Sequence, residues 1–251
     1  MTKIIAVFNQ AGGVMKSSLV QNLGYHLHLK KRKVLLVDMD PQGSLTTFMG
    51  FEPHELDQIV GNSILNSEIP LPIHHDHYGM DLVPANITLS AVELQLASVM
   101  ARETRLKQAL SDLKDSYDYI LIDCPPSLGI LSILSLAAAT HVLVPIQTHF
   151  KAFKGTELLL DTIKQIKKHL NPQLAIAGFV PTLFCNANQD KIILEALQTQ
   201  LSPLATVYPP IPRATAFADA VMNRQPLAVY SAKHPSLTVL NKIATGMEKL
   251  P

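Results

Sequence analysis

Cysteine is scarce. Cys124 and Cys185 are the whole supply in 251 residues, and they lie far apart without C-x-x-C spacing. A disulfide framework is excluded, no zinc or iron–sulfur signature is offered, and a reducing cytoplasm is the expected setting. No charged-then-apolar leader opens the chain, so no secretion signal is read. A clean membrane-length apolar run is also lacking. Leu128 to Ile146 approaches that length, but Ser132, Ser135, Thr140, His141 and Pro145 interrupt it. It divides into an apolar helix followed by a buried strand, HVLVPI, and no membrane partner is expected.

Apolar side chains are plentiful. At 47% hydrophobic and 16% charged the chain can build a packed core, which excludes a disordered or collagen-like protein. The length fits one layered domain over residues 1–251. The net charge of +1 hides a division: residues 1–125 hold 10 Lys/Arg against 14 Asp/Glu, and residues 126–251 hold 11 against 6. The later half is therefore able to meet a polyanion.

Six short, nearly continuous apolar runs read as strands: 3–8, 34–38, 80–85, 117–124, 140–146 and 174–182. Strands without polar alternation are buried on both faces, which predicts an α/β fold with a doubly wound, mostly parallel sheet and helices on both faces. Helical patterns are expected at about 17–30, 88–115, 128–138, 153–169, 189–201 and 236–249. The stretch from Gly50 to Tyr78, with Pro53, Pro70 and Pro72, reads as loops and short helices. Within it, HHDH at 74–77 reads as a flexible polar loop unable to converge on a metal.

The first strand runs into NQAGGVMKSS, a glycine-bearing loop that opens a helix. Such a loop aims backbone N–H groups and a helix N-terminus at phosphates, with Lys16 toward the β- and γ-phosphates and Ser17 toward Mg²⁺. The generic pattern G-x-x-x-x-G-K-[ST] fails here, because its glycine positions hold Gln10 and Met15. The second strand ends in VDMDPQGS. Period-two geometry would turn Asp38 and Asp40 to one face, to orient water or metal. A third strand ends in ILIDCPPS, which gives Asp123 as a Mg²⁺ group. Its neighbour Cys124 reads as a small buried residue rather than a nucleophile.

AGGVMKSS, VDMDPQGS, ILIDCPPS and the later IPRATAFADAVMNRQP together resemble the deviant Walker A ATPases of the ParA/MinD group, a P-loop NTPase class. The group's loop usually reads K-G-G-V-G-K-[ST]-[ST]. This chain keeps Gly12, Gly13, Val14, Lys16, Ser17 and Ser18, but carries Ala11 for the signature lysine and Met15 for the last glycine. Met15 must either fit at negative φ or strain the loop. The resemblance implies ATP and Mg²⁺ as cofactors, an ATP-sandwiched homodimer, and Gly12 to Ser18 on the phosphates. It also implies Pro210, Pro212 and Arg213 near the adenine.

With Ala11 the chain is either a poor ATPase or takes the missing charge from Lys151, or else Lys154, after the HVLVPI strand. In this the chain is similar to the McdA subgroup, which distributes carboxysomes over the bacterial nucleoid with a partner, McdB. The resemblance thus implies non-specific DNA binding, an McdB-like partner and a nucleoid-associated cytoplasmic protein. Lys191, Arg224, Lys233, Lys242 and Lys249 are the dispersed DNA candidates. A MinD-like membrane ATPase and a metabolic P-loop enzyme are the alternatives. The tail VLNKIATGMEKLP has few cations and a weak apolar face for an anchor.

Overall fold

The computed structural model describes residues 2–251. In chain order the elements are β1 Lys3–Val7, α1 Lys16–Leu29, β2 Val34–Asp38, α2 Ser44–Phe48, α3 Val60–Leu65, β3 His74–His77 and β4 Met80–Val83. Next come α4 Leu89–Leu96, α5 Arg105–Ala109, β5 Tyr119–Asp123, α6 Ile130–Ala138, β6 His141–Gln147, α7 Phe150–Lys154 and α8 Thr156–His169. The chain continues through β7 Ala175–Thr182, α9 Asn188–Leu201, α10 Thr215–Met222, α11 Leu227–Tyr230 and α12 Ser236–Glu248. Seven strands form one sheet in the order β3-β4-β2-β5-β1-β6-β7, parallel except for β3, which runs antiparallel to β4. This is the doubly wound α/β architecture that the unbroken apolar strands predict.

Every residue of β2 and β5 is buried, because a core lies against each face of the sheet. One core includes Phe8, Leu35, Ile120, Leu134 and Phe179; the other includes Leu19, Leu23, Leu36, Leu121 and Ile243. The parallel register brings three strand ends level: Val7 and Asp38 both lie opposite Asp123. The carboxyl edge where an open α/β sheet binds its ligand thus presents two acidic residues beside the loop that leaves β1.

Four local expectations need correction. The helix expected at 88–115 is broken, with α4 and α5 separated by a turn in which Ala101 takes the left-handed conformation at φ 52°. HHDH is the edge strand β3 and not a flexible loop. His74 and His77 hold the Phe51 ring between them, at centroid distances of 4.7 and 4.3 Å. The helix expected at 153–169 is divided into α7 and α8 at Gly155. α10, which no periodicity signalled, follows an irregular segment that bridges to β7 at Phe179–Val207 and to the residues just beyond β7 at Phe184–Pro212.

α12 buries Leu240, Ile243, Ala244 and Met247, and it packs on α1. The Lys3 ammonium donates to the carbonyls of Glu248 (3.1 Å) and Leu250, and Arg32 donates to the Glu248 carboxylate at 2.9 and 2.7 Å. The apolar face that a membrane anchor would need is therefore turned inward. Among the described residues no helix is long and apolar enough to cross a membrane.

Candidate nucleotide site

The loop from Asn9 to Met15 is held at both ends. The Asn9 amide donates to the Pro145 carbonyl on β6 (2.6 Å), and its oxygen accepts the Ala11 N–H (2.9 Å). Gln10 donates to the Thr162 hydroxyl on α8 (2.9 Å). Lys16 is buried, and its ammonium donates to the carbonyls of Asn9 (3.0 Å) and Ala11 (2.9 Å), so the lysine closes the loop around itself. Burial lowers its pKa, against the pull of Asp123, Cys124 and Asp40. The first turn of α1 carries no acidic residue of its own, so its unpaired N–H groups are not capped from within the helix.

Two loop residues have positive φ. Gly13 sits at φ 71°, with open space where a side chain would begin. Glycine is required there for its backbone angle and not for lack of room. Met15 sits at φ 68°, ψ 25°, at the N-cap of α1. Of the two possibilities left open by the sequence the strained one is realised, at a cost of about 1–2 kcal/mol for a non-glycine residue. Met15 packs partly against the core and also lines a cavity beside Lys16, so its removal trades lost packing for released strain. Met15→Gly is expected to leave the melting temperature within about 3 °C. It should tighten nucleotide binding by about three- to tenfold, because glycine lets the backbone come close to a ligand. Isothermal titration checks this, and weaker binding would show that the methionine side chain contributes to the site.

Gly12, Gly13, Met15, Lys16, Ser17, Ser18 and Asp40 line one cavity of about 330 Å³ together with Ser44, Phe48 and Pro126. Nothing in the sequence singles out Ser44 and Phe48 beyond the DPQGS turn that starts their helix. A second cavity, about 500 Å³, lies on the other side of the loop, where Ala11, Gly12 and Val14 meet Gln147, His149 and Lys151. Lys151 is thus in the same cavity as Ala11. Lys154 instead stacks over the Phe150 ring, 5.1 Å from its centroid.

The two carboxylates of VDMD do not share one role. β2 ends at Asp38 and the chain turns, so the period-two argument stops one residue too early. Asp38 is fully buried: one oxygen accepts the Thr46 N–H (2.9 Å) and hydroxyl (2.8 Å), and the other accepts the Asp40 N–H (3.0 Å). Burial pushes its pKa up to about 6 despite these donors. Asp40 lines the cavity and accepts the Gln42 N–H (3.0 Å).

Asp123 is fully buried, and neither oxygen has a hydrogen-bond partner among the described residues. Burial first and Asp38 second raise its pKa well above 3.8, while the Ser17 hydroxyl and the Lys16 ammonium pull it back. An orphaned carboxylate next to a serine and a lysine at a helix N-terminus is the donor set that a hydrated divalent cation with phosphate oxygens would satisfy.

Other expected residues lie elsewhere. Pro210, Pro212 and Arg213 line neither cavity, but their segment is fixed at the same sheet edge, where Ile211 N–H donates to the Pro181 carbonyl (2.8 Å) and Arg213 N–H to Phe184 (3.0 Å). Of the DNA candidates Lys191, Lys233, Lys242 and Lys249 are exposed. Arg224 is not free, since it pairs with Glu52 and donates to the Gly50 carbonyl (3.3 Å). Cys124 is buried, with its thiol pushed up to about 12, which excludes an activated nucleophile. Among the described residues no group of three or more His, Cys, Asp or Glu is placed to hold a metal, His74 to His77 included.

Comparison with known proteins gives the family and the fold. The AAA domain family matches residues 2–176. Two Soj proteins are similar over nearly the whole length: the sporulation initiation inhibitor protein Soj of Bacillus subtilis is 37% identical over 93% of both chains. The chromosome-partitioning ATPase Soj of Treponema pallidum is 35% identical over 97% of this chain and 96% of its own. A Mycobacterium smegmatis structure described as cobyrinic acid a,c-diamide synthase with bound ATP analog and magnesium is 34% identical. It covers 98% of this chain and 93% of that one, at TM-score 0.85. An ATP complex of a Cyanothece McdA variant has the same fold, at TM-score 0.88 over 100% of this chain and 97% of that one, with 22% identity.

Proposed function

This chain belongs to the ParA/MinD family of ATPases, and from that premise we propose that it is an ATP-driven dimerising switch. ATP and Mg²⁺ join two copies face to face, the joined form holds nucleoid DNA without sequence preference, and a partner protein on the cargo stimulates hydrolysis and release. One ATPase unit spans residues 1–251. The reading is carried by the convergence of Lys16, Ser17, Asp40 and the partnerless Asp123 at one sheet edge.

Lys16 would grip the β- and γ-phosphates once it leaves the loop carbonyls, and Gly12 to Ser18 would supply backbone N–H groups. Ser17 and Asp123 would hold Mg²⁺, which when bound offsets phosphate charge. Asp40 would orient the attacking water. Asp38 would act through the loop that carries Asp40. Lys151 would supply the positive charge that Ala11 lacks. Pro210, Pro212 and Arg213 would flank the adenine.

Two cargo readings differ in support. Replacement of the signature lysine by Ala11, with Lys151 on the same cavity, favours an McdA-type system with an McdB-like partner on carboxysomes. The 35–37% identity to Soj proteins over more than nine-tenths of each chain favours chromosomal DNA as cargo. Both need a nucleoid-associated cytoplasmic protein that binds DNA through exposed lysines such as Lys191, Lys233, Lys242 and Lys249. The metabolic alternative rests on the 34% identity to the Mycobacterium smegmatis structure.

DNA retention separates these classes. Binding to a non-specific duplex is expected with ATP and Mg²⁺ but not with ADP, and it should weaken by about 10- to 1000-fold between 50 and 200 mM salt, because phosphate contacts release counterions. Retention indifferent to both nucleotide and salt would give the metabolic class the better claim. Pull-down with ATP present would then distinguish a carboxysome partner from a chromosome-bound one.

A further inference from the structure

Between the sheet and the nucleotide cavity lies the five-residue helix α2, whose two sides do different things. Ser44 and Phe48 face the cavity. Thr46 faces the sheet and is fully buried. Its N–H and its hydroxyl donate to the same oxygen of Asp38, at 2.9 and 2.8 Å. The hydroxyl oxygen in turn accepts the N–H of Ala85, just beyond β4, at 3.0 Å. Both hydrogen-bonding capacities of the hydroxyl are therefore used to join two strand ends.

The chain of bonds continues toward the cavity. The second oxygen of Asp38 accepts the Asp40 N–H (3.0 Å), and the Asp40 carbonyl accepts the Gly43 N–H (2.9 Å). The Asp40 side chain, which lines the cavity, accepts from Gln42 (3.0 Å). From the far end of α2, the Phe48 carbonyl accepts the Gln21 amide of α1 (2.7 Å). The loop bearing Asp40 is thereby registered against β4 through Thr46 and against the phosphate-loop helix through Gln21.

We propose that Thr46 is a positioning residue for ATP hydrolysis, acting through Asp38 to hold the Asp40 carboxylate in place over the phosphate site. This rests on the ATPase reading given above. Nucleotide binding depends on the loop and Lys16, which Thr46 does not touch. Hydrolysis depends on where Asp40 stands, and a displacement of about 1 Å in a positioned group costs on the order of 100-fold.

Thr46→Val keeps the shape and the backbone donor but removes both hydroxyl bonds; Thr46→Ser keeps both. Thr46→Val is expected to bind ATP within about twofold of the parent chain, while kcat falls about 10- to 100-fold with KM nearly unchanged. Thr46→Ser should recover kcat to within about threefold. Should Thr46→Val fail to fold, Asp38→Asn breaks the same chain at its next link and should give the same fall in kcat with ATP still bound. Where both fold, the double variant should be no slower than the slower single one, since residues in one network are not additive. Parental kcat in Thr46→Val, loss of ATP binding in step with turnover, no recovery in Thr46→Ser, or additive losses would each overturn the proposal. A parent chain that releases no phosphate from ATP with Mg²⁺ and DNA would overturn the ATPase reading itself, and this one with it.

Discussion

Lys151→Ala is expected to cut ATP turnover by about 100-fold or more while ATP still binds the monomer within about twofold of the parent affinity. The positive charge that offsets the transferring phosphoryl group has no source at position 11, where the side chain is a methyl group. The lysine that lines the same cavity as Ala11 is Lys151, at the start of a helix whose N-cap His149 accepts the Lys151 N–H at 3.3 Å. Lys154→Ala is the control, expected within about threefold of the parent, because its ammonium is already stacked on Phe150. Phosphate release and light scattering with ATP present read both steps. Unchanged rate and unchanged dimer in Lys151→Ala would remove the substitute-lysine idea.

Asp123→Asn is expected to move stability and activity in opposite directions. Burial and Asp38 raise the folded-state pKa of Asp123 above its ordinary 3.8. The native chain therefore binds more protons than the unfolded one. Stability from this group is full below about pH 4 and is lost as pH rises through the native pKa. Asparagine removes that loss. The nucleotide-free variant should melt roughly 2–4 °C higher at pH 8, with the gain shrinking toward zero near pH 4. Mg²⁺-dependent ATP turnover should fall by about 100-fold or more, since the anionic group is gone. Calorimetry across pH and a Mg²⁺ titration of turnover check the two halves. A destabilised variant at pH 8 would mean that Asp123 is satisfied by contacts other than a cation.

Much of this arrangement is legible in the residues because it follows from pattern. KIIAV, VLLVD and YILID are uniformly apolar up to their ends, and a strand buried on both faces can be nothing else, so the parallel sheet and its acidic edge follow. That Lys16, Ser17 and Asp123 meet at one sheet edge is legible because each sits at a fixed offset from a strand end. What was not legible depends on a single backbone turn. Asp38 and Asp40 look equivalent by period two, yet the strand stops between them. That stop sends one carboxylate to Thr46 and the other to the cavity. The left-handed angle of Met15 is set by the loop's closure around Lys16, a tertiary constraint with no local signature. HHDH conceals its strand character because an edge strand has few neighbours to demand apolar side chains. Thr46 itself is an ordinary small polar residue until Ala85, thirty-nine positions later, is placed beside it.

The phosphate loop is a thin wall with a chamber on each side, and Gly12 belongs to both linings. A group seated against Ala11 and a phosphate held beside Lys16 would have Gly12 as their common wall. Communication between a neighbouring molecule and the bound fuel would then need no hinge and no travelling domain, only the flexure of a single glycine.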